Sequence, residues 1–344
     1  MMLLSNLGVL TSCGVVTRAF TAGSPHTIGP APAGLGAVEV AFPSRSGSQL
    51  RGWFVPGRPG AGAVLLLHGV HANRLAMLPR ARFLHALGYA VLMPDFRAHG
   101  ESSGNQTTFG ALEAKDAHAA ACLLHTLTPH ERVAAIGVSL GGAAALLGRQ
   151  PLPVDALVLE SVYPTIDQAA KNRLRAWLGP IGSWLAPSLV RSLEPAVGVR
   201  PAELRPIDHI ADVRVPVLMA AGSADPYTPM DESEALFERL APPKELWVVD
   251  GATHEDLYDY APAEYQRRIS AFLERTLGGV SNGAAALAAG DCAPDMAAES
   301  TRRPNDSPVG PKGSALGTAP LVVSARLDCD EGGRRCGATP GTLP

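Results

Sequence analysis

Charged residues are scarce in this sequence. Only 18% of the 344 residues are charged, the formal net charge is −3, and no basic stretch stands out. Proteins that bind nucleic acids need a basic surface to neutralise phosphates, so we expect no nucleic-acid partner. Aromatic residues are also few, at 5%, whereas hydrophobic residues make up 46%, which is enough for a large buried core.

Long apolar runs are missing as well. No run reaches about 18 apolar residues, so we expect no membrane-spanning helix. The first 16 residues are weakly apolar, but no Lys or Arg precedes Arg18, whereas a secretory signal normally begins with basic residues. We therefore expect a cytoplasmic protein. The stretch Leu10–Cys13 is similar to a lipoprotein cleavage site, so membrane association or a lipoprotein through this leader is the alternative.

Cysteine is rare, with residues at positions 13, 122, 292, 329 and 336. Only Cys122 falls in the region that we expect to fold, so the sequence predicts no disulfide framework. We interpret Cys122 as a small buried helix residue. Cys329 and Cys336 have no neighbouring His or second cysteine pair, which argues against a zinc site. We expect neither a metal nor a cofactor.

Three regions follow one another along the chain. Residues 1–35 form a leader that we expect to be poorly ordered. Residues 36–278 alternate apolar strand-like runs with helical patterns. Residues 279–344 are rich in Gly, Ala, Ser, Pro and Thr and lack periodicity, so they cannot bury enough apolar surface to offset chain entropy. We expect this tail to be disordered.

The central region predicts a parallel sheet. An edge hairpin is predicted first, followed by continuous apolar runs that are typical of strands covered on both faces. Helical patterns separate these runs, which predicts an α/β fold with helices on both faces. The hairpin strands are predicted at 38–42 and 50–55, and the buried strands at 63–69, 90–95, 133–138, 156–161, 217–222 and 245–250.

One interval, residues 162–214, has no buried strand. Trp177 and Trp184 lie in it, among apolar residues at roughly helical spacing. We interpret it as a helical cap inserted over the carboxyl edge of the sheet, with a long crossover that shapes no pocket as the alternative.

The stretch Gly137-Val138-Ser139-Leu140-Gly141 follows a predicted strand and precedes a predicted helix. A serine becomes a nucleophile when a sharp turn exposes it, and that turn needs neighbours with almost no side chain at plus and minus two. The pattern therefore predicts a nucleophile elbow at Ser139. The alternative is a tight turn whose serine only caps a helix.

A serine nucleophile also needs donors for the tetrahedral oxyanion. The backbone N–H of Leu140 would lie at a helix N-terminus beside Ser139. A second donor is predicted at the N–H of Val70, which follows a strand ending in His68-Gly69. We interpret His68 as a structural residue and His71 as a loop residue near the entrance.

The other two members of a triad are predicted late in the chain. Among the histidines, only His254 follows the last strand, which makes it the candidate base. Asp225 follows the preceding strand and would hold the tautomer of that histidine. The alternatives are a solvated histidine and an aspartate that closes a turn before Pro226. Glu160, Asp250 and Asp256 compete as the acid.

The sequence resembles the alpha/beta-hydrolase superfamily, and within it the monoglyceride-lipase and serine-aminopeptidase-like branch. The resemblance rests on His68-Gly69, "DFRAHGES" from Asp95, the Ser139 turn, "GSADPYTP" and "GATHEDL". Family members usually have glycine where Ala98 stands, in a motif that is usually structural. The resemblance implies the order Ser139, Asp225, His254, and a small-molecule ester or acyl substrate cleaved through an acyl-enzyme.

Three alternatives stay open for the function. The same triad would serve a peptidase or amidase, or a perhydrolase, and a hydrolase scaffold can also be a binding module without catalysis. A dehalogenase or epoxide hydrolase is disfavoured because it needs a carboxylate where Ser139 stands. The apolar cap with its two tryptophans favours an acyl group of modest size.

Overall fold

The computed structural model describes residues 17–254 and 256–278, together with Cys292 and two short strands, Asp328–Cys329 and Cys336–Gly337. These two strands pair antiparallel, with Cys329 opposite Cys336. The rest of the expected tail, 279–344, and residues 1–16 of the expected leader lie outside the described residues.

An eight-stranded sheet runs through the domain, in the order β8-β7-β6-β5-β3-β4-β2-β1. Strands β3 to β8 are parallel, and β2 is antiparallel to both β1 and β4, as the predicted edge hairpin requires. The strands are β1 (Val38–Pro43), β2 (Gln49–Val55), β3 (Ala63–Leu67), β4 (Ala90–Pro94), β5 (Val133–Val138), β6 (Ala156–Glu160), β7 (Val217–Gly222) and β8 (Lys244–Val249). This is the predicted α/β architecture.

Helices cover both faces of the sheet because its central strands are apolar on both sides. The helices are α1 (Leu78–Leu87), α2 (Glu113–Leu127), α3 (Leu140–Leu146), α4 (Ile166–Leu178), α5 (Pro180–Arg191), α6 (Leu193–Val197), α7 (Pro206–His209), α8 (Met230–Arg239), α9 (Leu257–Tyr260) and α10 (Pro262–Leu277). Helices α2, α3 and α8 contribute to one core, and α1 and α10 to the other.

Strand β8 differs from its prediction as a buried strand. It lies at the edge of the sheet, and its burial alternates: Trp247 and Val249 are buried, whereas Val248 is 42% exposed. The reason is that only one face of an edge strand meets α10. The apolar run in the sequence gives no sign of this difference.

Helices α4 to α7 connect β6 to β7 and form the predicted helical insertion. They have a small core of their own, which includes Ile166, Leu174, Leu189 and Leu204. The outer surface is strongly apolar, because Trp177 is 57% and Trp184 is 89% exposed. Trp184 therefore does not line an enclosed acyl pocket, although from the sequence both tryptophans favour an acyl group of modest size.

Residues 17–35, expected to belong to a poorly ordered leader, pack against the domain. Thr17 and Thr21 are buried, and the Phe20 ring lies 6.0 Å from Phe109 and 6.1 Å from Trp177, between ring centroids. Further along, Ser24–Pro25 pairs in parallel with His99–Gly100. The packed structure thus begins before residue 36, because these contacts are made with distant parts of the chain.

Cys122 forms a disulfide with Cys292, across 170 residues of sequence. The expectation that Cys122 is an unpaired helix residue is therefore wrong. Its partner belongs to the low-complexity region, where composition gives no indication of a contact with α2. The two Cα atoms lie 5.5 Å apart, a normal separation for a disulfide.

Candidate active site

Ser139 forms the whole connection between β5 and α3, since β5 ends at Val138 and α3 begins at Leu140. Its backbone has φ 50° and ψ −107°, a left-handed conformation that residues other than glycine rarely adopt. The Ser139 N–H donates to the Glu160 carbonyl at 2.8 Å, which ties the turn to β6. The predicted sharp turn is present.

Three glycines allow this turn to pack closely. A Cβ on Gly141 would lie 2.2 Å from the Leu67 carbonyl oxygen, and one on Gly142 would lie 2.2 Å from Cγ2 of Val162. A Cβ on Gly137 would come within 2.6 Å of the Gly142 nitrogen. Any larger residue would push α3 away from the sheet and change the position of the serine.

The two N–H groups predicted as oxyanion donors both lie near Ser139. Leu140, its neighbour in sequence, is the first residue of α3, and Val70 follows β3, the strand adjacent to β5 in the sheet. Gly69 lies against the serine, since a Cβ on it would be 3.8 Å from the Ser139 Cβ. Neither N–H donates a hydrogen bond within the part of the chain that the structure describes.

His254 and Asp225 lie together, as predicted. Nδ1 of His254 is 2.7 Å from Oδ2 of Asp225. The aspartate follows β7, and the histidine follows β8, the next strand in the sheet. Carboxyl ends of adjacent parallel strands meet at one edge of a sheet, and Ser139 follows β5 at that same edge.

Asp225 is held by donors besides the histidine. Oδ1 accepts from the backbone N–H groups of Tyr227 at 2.7 Å and Thr228 at 3.0 Å, and Oδ2 accepts from the Thr228 hydroxyl at 2.6 Å. Burial by itself would raise the pKa of Asp225. The hydrogen bonds from His254 and Thr228, with the charge of the histidine, outweigh burial and lower this pKa below its usual value.

Glu160, the competing acid, is engaged elsewhere. Its carboxylate pairs with Arg80 at 2.7 Å and accepts a 2.5 Å hydrogen bond from the Tyr265 hydroxyl. Arg80 is fully buried and also pairs with Asp256 at 2.7 Å. Asp256 in turn caps α9. These contacts tie α1, β6 and α10 to the segment just after His254. Asp250, the third competing carboxylate, accepts from the Ser223 hydroxyl at 3.1 Å.

The family model described as "Alpha/beta hydrolase family" matches residues 64–268. The chain belongs to the alpha/beta hydrolase family. The hydrolase is 29% identical over 238 residues to YqkD of Bacillus subtilis (strain 168), covering 68% of this chain and 78% of that protein. It is 32% identical over 222 residues to Rv2307c of Mycobacterium tuberculosis (strain ATCC 25618 / H37Rv), covering 63% and 72%.

A solved structure of the Pyrococcus furiosus esterase Pf2001 is similar to this hydrolase with a TM-score of 0.63. The two chains are 27% identical, and the match covers 75% of this chain and 99% of that one. The alpha/beta-hydrolase fold and superfamily predicted from the motifs are therefore confirmed. The narrower monoglyceride-lipase and serine-aminopeptidase-like branch stays a prediction.

His68 has the structural role that the sequence predicts. It is buried, its Nε2 accepts from the Phe96 N–H at 3.0 Å, and its Nδ1 donates to the Gly69 carbonyl at 2.8 Å. Burial, with the charge of His99 as a lesser cause, lowers the pKa of His68 to about 3. The ring is therefore neutral at physiological pH and joins the end of β3 to the segment after β4.

The "DFRAHGES" motif forms a turn that is held by hydrogen bonds to Asp95. The Asp95 carboxylate accepts from the N–H groups of Arg74 at 2.8 Å and Glu101 at 3.0 Å, and the Ser102 hydroxyl donates to the Asp95 carbonyl at 2.7 Å. Ala98 adopts φ 58°, a backbone conformation that favours glycine.

Sequence reasoning did not predict a set of contacts that leads to His254 through Tyr227. The Tyr227 ring lies edge-on to the histidine, with centroids 5.2 Å apart. The Arg173 guanidinium carbon lies 4.5 Å from the Tyr227 centroid, and Trp177 donates to the Tyr227 hydroxyl at 3.2 Å. Tyr227 stands two residues after Asp225, a signal that could have been used. Arg173 and Trp177 come from α4, about 50 residues earlier.

Neither a metal centre nor a membrane span is found among the described residues. No group of three or more His, Cys, Asp or Glu residues in residues 17–254 and 256–278 could hold a metal ion. Each helix in this described part is too short or too polar to cross a bilayer.

Proposed function

We propose that this hydrolase cleaves a carboxylic ester of a small molecule through an acyl-enzyme on Ser139. The observation that carries the proposal is the 2.7 Å contact between Nδ1 of His254 and Oδ2 of Asp225, at the sheet edge where the strained Ser139 turn lies. A buried aspartate bonded to Nδ1 leaves Nε2 free to accept a proton.

The proposed reaction has two halves. Ser139 Oγ attacks the ester carbonyl carbon and gives its proton to Nε2 of His254, and the N–H groups of Val70 and Leu140 stabilise the oxyanion. The tetrahedral intermediate then expels the alcohol, which takes the proton from His254. Water, which gives a proton to the same histidine, then attacks the acyl-enzyme and forms a second tetrahedral intermediate. This intermediate releases the acid, and the histidine returns the proton to Ser139.

Similarity to the Pyrococcus furiosus esterase supports an ester over an amide as substrate. A peptidase or amidase on the same triad is the second candidate, because the same three residues serve both reactions. A binding module without catalysis is disfavoured by the bonded His254–Asp225 pair and by the hydrogen bonds that hold the aspartate.

The experiment combines covalent labelling with turnover. We expect a fluorophosphonate probe to label the protein at Ser139, as located by peptide mass spectrometry, and Ser139→Ala to remain unlabelled. p-Nitrophenyl esters and p-nitroanilides with the same acyl group would then be compared. Preferred ester turnover is expected. A folded wild-type protein that neither labels nor turns over any ester would overturn the proposal, and preferred anilide turnover would favour the amidase.

A further inference from the structure

Arg173 occupies an unusual place in the helical insertion. It lies on α4, is half-buried, and its guanidinium carbon is 4.5 Å from the Tyr227 ring centroid and 5.7 Å from the Trp177 ring centroid. Tyr227 in turn contacts His254, with ring centroids 5.2 Å apart. One aromatic ring therefore separates this cation from the histidine.

The two arginines that are fully buried among the described residues, Arg74 and Arg80, both have carboxylate partners. Arg80 has two carboxylates at 2.7 Å, from Glu160 and Asp256, and Arg74 pairs with Asp95 at 3.4 Å and closely with Glu101. Within the described residues, Arg173 has no carboxylate within 4.0 Å and no hydrogen bond to the protein. Its N–H donors are therefore available to an anionic ligand.

The charge of Arg173 reaches the candidate active site. Burial is the first cause that lowers the pKa of His71, followed by the charges of His99 and Arg173. Burial also lowers the pKa of Arg173 itself, against the opposing effects of Tyr227 and Asp225. Arg173 is therefore close enough to His71, in the loop after β3, and to Asp225, in the turn after β7, for its charge to act on both.

We propose that Arg173 binds a carboxylate carried by the ester substrate, so that the preferred substrate is an ester of an acidic small molecule. This inference rests on the proposed esterase function. A guanidinium presents two parallel N–H donors that match the two oxygens of a carboxylate. The cation–π contact with the Tyr227 ring keeps the Arg173 guanidinium in position. The bound anion also offsets the repulsion between Arg173 and the imidazolium that forms at His254 during turnover.

Two matched substrate pairs test which side of the ester carries the acid. Monomethyl adipate and methyl hexanoate differ only by a terminal carboxylate on the acyl chain. The acetate of 5-hydroxypentanoate and pentyl acetate differ in the same way on the alcohol. Hydrolysis of all four is followed by acid release in a pH-stat. We expect the wild type to favour one acidic ester over its neutral partner by about 10-fold or more in kcat/KM.

The variants separate charge recognition from packing. In Arg173→Gln, we expect the acidic-to-neutral ratio of kcat/KM to fall by about 10- to 100-fold, mainly through KM, because a charge-assisted hydrogen bond in the bound state is lost. Arg173→Lys should restore part of the ratio, because it keeps the charge without the fork. Arg175→Gln, an exposed arginine two residues along α4, should keep the wild-type ratio.

A binding measurement decides the inference separately from turnover. Calorimetry on Ser139→Ala should show tighter binding of the favoured acidic ester than of its neutral partner, and Arg173→Gln in that background should abolish the difference. Equal handling of acidic and neutral esters, in both pairs and in binding, would overturn the Arg173 inference while leaving the esterase proposal intact. Selective binding of the acidic ester without turnover of any ester would support the Arg173 inference and contradict the esterase proposal. An equal loss for both esters in Arg173→Gln would assign Arg173 a packing role.

Discussion

Nδ1 of His254 and Oδ2 of Asp225 lie 2.7 Å apart, and the Thr228 hydroxyl reaches that same oxygen at 2.6 Å. One carboxylate oxygen therefore accepts two hydrogen bonds, and the other accepts two backbone N–H groups. The aspartate has a single orientation toward the histidine. The first two predictions depend on this arrangement.

Asp225→Asn should lower kcat for the best ester by about 10³- to 10⁴-fold, with little change in KM. The amide keeps the shape of the carboxyl but favours the wrong imidazole tautomer and does not stabilise the imidazolium. Steady-state kinetics would measure this, with circular dichroism to confirm that the variant is folded. A near-wild-type kcat would remove Asp225 from the proposed triad.

Thr228→Val should lower kcat by about 10-fold or more, because it removes a hydroxyl that donates to the charged Asp225 without changing the size of the side chain. Thr228→Ser keeps the hydroxyl and is the matched control, with activity expected near that of the wild type. If Thr228→Val keeps wild-type activity and Thr228→Ser loses it, the methyl group matters for packing and the hydrogen bond does not.

Glu160→Gln should affect stability more than chemistry. Its carboxylate pairs with the fully buried Arg80 at 2.7 Å, and loss of one partner from a buried ion pair costs about 3–5 kcal/mol in free energy of unfolding. Urea denaturation would measure this loss, and turnover of the remaining folded enzyme should stay within a few-fold of the wild type. A variant that is stable but inactive would restore Glu160 as the candidate acid.

Asp116 predicts a pH dependence of stability. Burial, aided by the charge of Glu113, raises its pKa from 3.8 to about 6, against the effects of the Ser44 and Ser46 hydroxyls and of a hydrogen bond from the Arg97 N–H. Between these two pH values the folded state holds a proton that the unfolded chain has lost. This carboxyl therefore makes the protein less stable as the pH rises from about 4 to about 6, and its effect is constant above that.

Asp116→Asn removes this titration and keeps an oxygen that can accept from the Arg97 N–H. We expect it to raise the free energy of unfolding by about 1–3 kcal/mol at neutral pH, with a smaller gain near pH 4. Urea melts between pH 4 and pH 8 would measure both. Asp259→Asn, at an exposed position, is the control. An equal effect of Asp116→Asn at both ends of the pH range would contradict the explanation.

The disulfide between Cys122 and Cys292 should be found as a linked pair of peptides in a non-reducing digest. Its removal by Cys292→Ser should lower the free energy of unfolding by about 2–4 kcal/mol, and reductant should have the same effect on the wild type but none on the variant. Disulfides persist in oxidising compartments, so a linked pair in protein isolated from its native cells would contradict the expected cytoplasmic location. Absence of the linked peptides after oxidation would contradict the pairing.

Most of the scaffold was predictable because its signals are local. Continuous apolar runs identify β3 to β7, and Gly88, with φ 101°, is a glycine of the kind that ends helices and ends α1. The Ser139 turn was predictable for the same reason, since the glycines that allow it lie within three residues of it. Edge position is not local, so the sequence predicted β8 as buried on both faces.

In the candidate site, too, features with local sequence signals were predictable and long-range contacts were not. Ser139, Asp225 and His254 could be predicted as candidates from the sequence alone, because each follows a recognisable strand and parallel strands bring their carboxyl ends to one edge. Their partners could not. The pairing of Glu160 with Arg80, the disulfide from Cys122 and the approach of Arg173 to Tyr227 join residues 80, 170 and 54 positions apart. Only tertiary packing sets such distances, because a side chain's partner depends on how whole elements lie against one another.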